Sequence, residues 1–189
     1  MKIRARDHLD NHGRVRSGRQ LDIRSAALDN QEKGELAAGI DRNGKPAPTG
    51  DFILHSEGHI TNRGLITAAD KMKIDNQGNL TNQGEMTAGQ DLKIGARDHL
   101  DNGGRIRSGG DLDIRIASLD NQKNGVLAAG RDRDGKPAQK GDFTLRSEGN
   151  VTSHGRITAV GKVFIDNQGN FTHQGEMIAG QDMKIRARD

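Results

Sequence analysis

The chain repeats itself. Leu9-Asp10-Asn11 returns as Leu100-Asp101-Asn102, and Gly44-Lys45-Pro46-Ala47 as Gly135-Lys136-Pro137-Ala138, each 91 residues later. The landmarks keep that offset without insertion or deletion, and about two-thirds of the positions are identical. Lys184-Ile185-Arg186-Ala187-Arg188-Asp189 then repeats Lys2-Ile3-Arg4-Ala5-Arg6-Asp7. The period predicts one copy over 1–91, a second over 92–182 and a third beginning at 183–189, all in one continuous array taken from a longer one. Self-similarity of this kind marks stacked units, none of which can bury its apolar face alone.

A shorter period lies inside each copy. Its first apolar station is Leu9, Leu28, Ile60, Leu80, Leu100, Leu119, Val151 and Phe171. The second is Val15, Leu36, Ile66, Met86, Ile106, Leu127, Ile157 and Met177, each followed two places on by Ser or Ala. The third is a pair two residues apart, such as Leu21 with Ile23 or Leu112 with Ile114. Apolar residues that alternate with polar ones in short bursts have the period of strands, and the Gly and Asn residues between bursts are corner residues. The expected fold is therefore all-β: a parallel β-helix, or β-solenoid, of about eight coils with three short strands per coil. At roughly 4.8 Å per coil the rod would be about 38 Å long. Two segments exceed the coil, Ile40 to Gly50 and its counterpart Arg131 to Gly141. Four coils apart, they should project from the same side. Proline within them opposes pairing with the ladders.

Composition limits what else the chain can be. Only 31% of residues are hydrophobic, 2% are aromatic and 29% are charged, values that suggest disorder unless the apolar residues are periodically placed. There is no cysteine, which excludes disulfides and thiolate metal sites and suits a chain exported unfolded. The residues after Met1 hold no apolar run, so neither a signal peptide nor a membrane-inserting segment is read here. A formal net charge of +3 is compatible with an acidic polymer partner without demanding one.

Asn11, Asn30, Asn62, Asn82, Asn102 and Asn121 follow the first station by two places. A column of side-chain amides, each paired with its equivalent in the next coil, accounts for them better than binding does. The units LDNGGRIRSGGDLDI, LTNQGEMTAGQDLKI and FTHQGEMIAGQDMKI resemble the haemagglutinin repeats of filamentous haemagglutinin and related two-partner secretion exoproteins, including contact-dependent growth inhibition toxins. The resemblance implies a right-handed coil and a place in a fibre displayed on a Gram-negative cell. It also implies export through an outer-membrane transporter and a cell-surface receptor or glycan as partner of the parent protein. The secretion domain and toxin of that family have no counterpart in these residues.

Other chemistry is weaker. Asp41-Arg42-Asn43-Gly44 and Asp132-Arg133-Asp134-Gly135 start like a calcium loop but lack the third acid and the distal Glu, so plain turns are expected. Asp10, Asp29, Asp101 and Asp120 recur with the coil, whereas an active site is a local departure from a repeat, so no enzyme is expected. His8 and His99 are read as solvated corner residues, and no cofactor is called for. The nonapeptide calcium repeat and the flat Thr-x-Thr array of ice-binding solenoids are absent. Arg14, Arg16, Arg105 and Arg107 should point outward, with Lys45 and Lys136 on the loops. Mixed ladders, with Glu35 near Arg14 and Glu85 beside Arg105, account for the arginines. The alternative is that these six residues hold an acidic glycan. Absent aromatics argue against single-stranded nucleic acid. The function expected is a shaft segment of a large secreted, surface-displayed adhesin, acting in adhesion, aggregation or contact-dependent inhibition.

Overall fold

The computed structural model describes residues 1–41, 43–132 and 134–188. These form strands and turns and no helix, and every strand-to-strand pairing is parallel. The three stations become three faces of a solenoid. Second-station strands make an 8-stranded sheet, while third- and first-station strands share a 13-stranded sheet bent around a corner. The third-station face carries nine rungs, from Lys2–Asn11 to Met183–Ala187, and the other two faces carry eight among the described residues.

The register puts like residues on like. Leu28, Ile60 and Leu80 stand in line on the first face, Leu36, Ile66, Met86 and Ile106 on the second, and Phe52, Met72, Leu92 and Leu112 on the third. All of these are buried, and they form one core running the length of the rod. Alternate residues along each strand face outward, so five apolar side chains per coil suffice.

The expectation of three short strands per coil holds for only part of the chain. Lys2–Asn11, Leu21–Asn30, Leu92–Asn102 and Leu112–Asn121 each run unbroken from a third station to the next first station. Elsewhere the same path is split, as in Met72–Asn76 and Leu80–Asn82. The corner residues decide which occurs. Split corners contain Gly58, Gly78, Gly149 or Gly169, whereas the continuous ones are Arg6-Asp7-His8, Ala26-Ala27, Arg97-Asp98-His99 and Ala117-Ser118. Without glycine the chain rounds the corner as a bent strand. The 19-residue coils are matched to their longer neighbours by a bulge, between Ala5 and His8 in one copy and between Ala96 and His99 in the other.

Polar groups also stack. The Asn11 Nδ2 donates to Asn30 Oδ1 at 2.8 Å, and the chain continues through Asn62, Asn82, Asn102 and Asn121 at 2.8–2.9 Å, ending on Ser153 Oγ at 3.2 Å. Each amide donates also to a backbone carbonyl, Asn62 to Glu85 and Asn82 to Arg105. Five of these six side chains, from Asn30 to Asn121, lie fully inside the corner between the first and second faces, and Asn11 at the first rung is 7% exposed. A second buried column, Ser25, Ser56, Asn76, Ser147 and Asn167, lines the corner after the third station, where Asn76 donates to the Gly78 carbonyl at 2.6 Å. Beside the amide column the corner backbones touch: a Cβ on Gly104 would run into the Gly84 carbonyl oxygen.

Candidate functional site

The two long segments fold as small hairpins over the 8-stranded sheet. Ile40 bridges Pro46 and Arg131 bridges Pro137, both antiparallel. Proline is accommodated there because the flanking bonds, Asp41 N–H to the Lys45 carbonyl and Ala47 N–H to the Gly39 carbonyl, leave the Pro46 nitrogen unused. The Asp41 Oδ1 accepts the Asn43 and Lys45 N–H groups at 2.8 Å, and Asp132 Oδ1 accepts that of Lys136. Each carboxylate thus closes its own turn; Arg42 and Arg133, the middle residues of the calcium-like strings, lie outside the described residues. Both hairpins do rise from one side, and Ile40, Pro46 and Ala47 of one share a cavity of about 350 Å³ with Asp132 and Asp134 of the other.

The six basic residues separate into two kinds. Arg16 is a structural cation. Its Nε and Nη2 donate to the two Glu35 oxygens at 2.9 and 2.6 Å, in a pair whose side chains are only 26% and 15% exposed. That bidentate bond raises the Arg16 pKa above its ordinary value. Arg14 is the register partner of Glu35, yet it stays 72% exposed and 3.7 Å from it. The same diagonal appears one copy on: Arg105 is opposite Glu85 in register, but Arg107 makes the ion contact at 3.7 Å. Long side chains reach across the pleat, so the ladder partner and the charge partner differ. Lys45, Lys136, Arg14 and Arg105 keep their cations toward solvent.

Like charges also stand in register on two of the faces. On the first face Asp10 lies beside Asp29 and Asp101 beside Asp120. The Gln31 amide donates to Asp10 at 2.9 Å, and this bond, helped by His12, holds the Asp10 carboxyl below the ordinary aspartate value. The histidines there are not merely solvated: His99 bonds Ser118 Oγ at 2.7 Å, and His8 lies 3.5 Å from Asp29. On the third face the like pairs are basic: Arg4 with Arg24, Lys73 with Lys93, and Arg115 with Arg146. Such pairs oppose stacking. They could have been found by aligning the residues one and three places after each third-station start, positions a core-directed reading passes over.

No curated protein and no solved structure matches the chain. The haemagglutinin repeat family model does, over residues 7–115, 98–132 and 107–175. Those segments take in the amide column, both hairpins and seven of the eight second-station strands, so the recurring coil and the family pattern are the same object. This chain belongs to the haemagglutinin repeat family.

Proposed function

We propose that the chain is a segment of the shaft of a large secreted, surface-displayed adhesin, whose work is to hold a distal region away from the cell. The observation that carries this reading is the unbroken core: three apolar columns and one amide column run through both copies, so load applied at one end is shared by every rung. The family's adhesin-type character supports it. Adhesion, aggregation or contact-dependent inhibition would belong to the parent protein, exported through an outer-membrane transporter and meeting a receptor or glycan on a cell surface. Tandem chains of two, four and eight 91-residue copies test it by electron microscopy. Rods should lengthen by about 19 Å per copy, four rungs at roughly 4.8 Å, at constant width; particles that grow in width instead would overturn the shaft.

A second reading has the shaft itself hold acidic glycans through Arg14, Arg105, Lys45 and Lys136. The exposure of Arg14 beside a Glu35 already engaged by Arg16 favours it. Salt-sensitive retention on an immobilised acidic polysaccharide, lost in the fourfold Ala variant, is the expected result; unchanged retention removes these residues from the site.

A further inference from the structure

Gly95 departs from the repeat without a backbone reason. Its equivalents are Arg4 and Arg186. Its φ is not positive, and a Cβ placed on it would meet nothing closer than the Ile74 carbonyl oxygen at 3.9 Å. The nearby bulge does not require it, because the same bulge follows Arg4 in the first copy. Glycine weakens a strand interior, and with no turn or bulge to explain it, it marks a close approach by something else. It also forfeits a charge pair: Asp75 faces Gly95 in register, whereas the equivalent Asp166 faces Arg186.

A cavity of about 360 Å³ lies over Gly95, walled by Lys73, Lys93, Arg115, Asp75 and Asp113. Lys73 and Lys93 are register neighbours of like charge, and among the described residues neither has a carboxylate within ion-pair distance. Asp113 lies 3.8 Å from Arg115 and 3.6 Å from Arg146, and its Oδ1 is buried without a hydrogen bond. Asp75 is 3.4 Å from His55. The basin shares Arg115 with a neighbouring cavity of about 650 Å³ that Arg97 and Arg146 also line.

We propose that the basin at Gly95 seats one residue of an acidic polysaccharide. The Lys73 and Lys93 ammonium groups take the sugar's acid group, the Asp75 and Asp113 carboxylates accept its hydroxyls, and the ring lies over the bare Gly95 backbone. The volume suits a single sugar unit, and the adjoining cavity receives the next one along the rod. This rests on the ligand class of the second reading, an acidic glycan, but moves the contact to a different face, so the two sites make opposite predictions for the fourfold variant.

The test titrates labelled galacturonate and glucuronate tetrasaccharides onto the whole chain. Gly95→Gln, which fills the basin without adding charge, and the Lys73→Gln/Lys93→Gln double variant should each weaken binding at least tenfold. The fourfold variant at Arg14, Arg105, Lys45 and Lys136 should bind as the parent does. Gly95→Gln should melt no lower than the parent, which separates a blocked site from a damaged fold. Unchanged binding by Gly95→Gln, equal binding of a neutral galactose tetrasaccharide, or no binding of either acid at millimolar concentration overturns the proposal. Binding lost only in the fourfold variant leaves the glycan reading standing and removes this site.

Discussion

The junction between the two copies and the last rungs of the chain are built from equivalent residues and end in different states. Leu92 and Ile94 are 0% and 2% exposed where the next coil covers them, while their equivalents Met183 and Ile185 are 44% and 41% exposed. Thr87, on the outer side of the second strand beside both hairpins, is 3% exposed, and its equivalent Ile178 is 47% exposed. The local sequence barely changes between the two places; the neighbour does. Burial in this molecule is therefore a property of adjacent coils and of the hairpins laid over them, which is how a lean supply of apolar residues sustains an ordered chain.

The largest break in that comparison should come from the core. Leu112→Ala, beneath coils on both sides, is expected to cost about 2–5 kcal/mol, against under about 1 kcal/mol for Met183→Ala, whose side chain already meets water; urea unfolding of the two variants checks it. Glycine gives the next contrast. Gly104→Ala drives a methyl into the Gly84 carbonyl and should cost roughly 1–3 kcal/mol. Its equivalent Gly13 has nothing within 4 Å of an added Cβ, so Gly13→Ala should be neutral or stabilise by a few tenths to about 1 kcal/mol. Were both alanines tolerated, the close stacking of corner backbones would be wrong.

The amide column sharpens the comparison further. Asn82→Ala removes an acceptor from Asn62 and a donor from Asn102, and should cost about 1–3 kcal/mol. Asn11→Ala at the first rung breaks one amide-to-amide bond of the column, to Asn30, where an interior member breaks two, and should cost less, on a melting curve, than any interior member. Among ion pairs, a double-mutant cycle should give about 1 kcal/mol of coupling for half-buried Arg16 with Glu35, and roughly 0.2–0.5 kcal/mol for Arg156 with Glu176, whose side chains are 58% and 49% exposed. Equal couplings would show that burial does not strengthen the first pair.

The smallest effect concerns acid. Asp10 titrates below the ordinary aspartate value of 3.8 because Gln31 bonds its charged form. Protons therefore bind the unfolded chain first, so this contribution is complete above the unfolded value and disappears as pH falls through the lower folded one. Gln31→Ala should move the Asp10 carboxyl upward in an NMR titration and flatten the acid limb of the stability profile. No upward movement would remove Gln31 as the cause.

Much of the fold could be read in advance because one physical fact, the fixed spacing of stacked strands, converts sequence period directly into spatial columns. Leu28, Ile60 and Leu80 had to align once the coil was recognised, and Asn62 had to stand over Asn82. The binding surface was less legible. Arg14 and Arg16 differ in role because a long side chain chooses its carboxylate by reach and burial, not by ladder position.

The repeat alone determined the stations, the length of the array and the common side of the two hairpins, since each follows from counting residues against a constant rise. Only the tertiary structure decided which corners run on as strands, which arginine holds Glu35, and that Gly95 lines a cavity where Arg4 and Arg186 stand in the other copies. Those outcomes depend on backbone bend and on the reach of side chains between rungs, and no period along the chain records either.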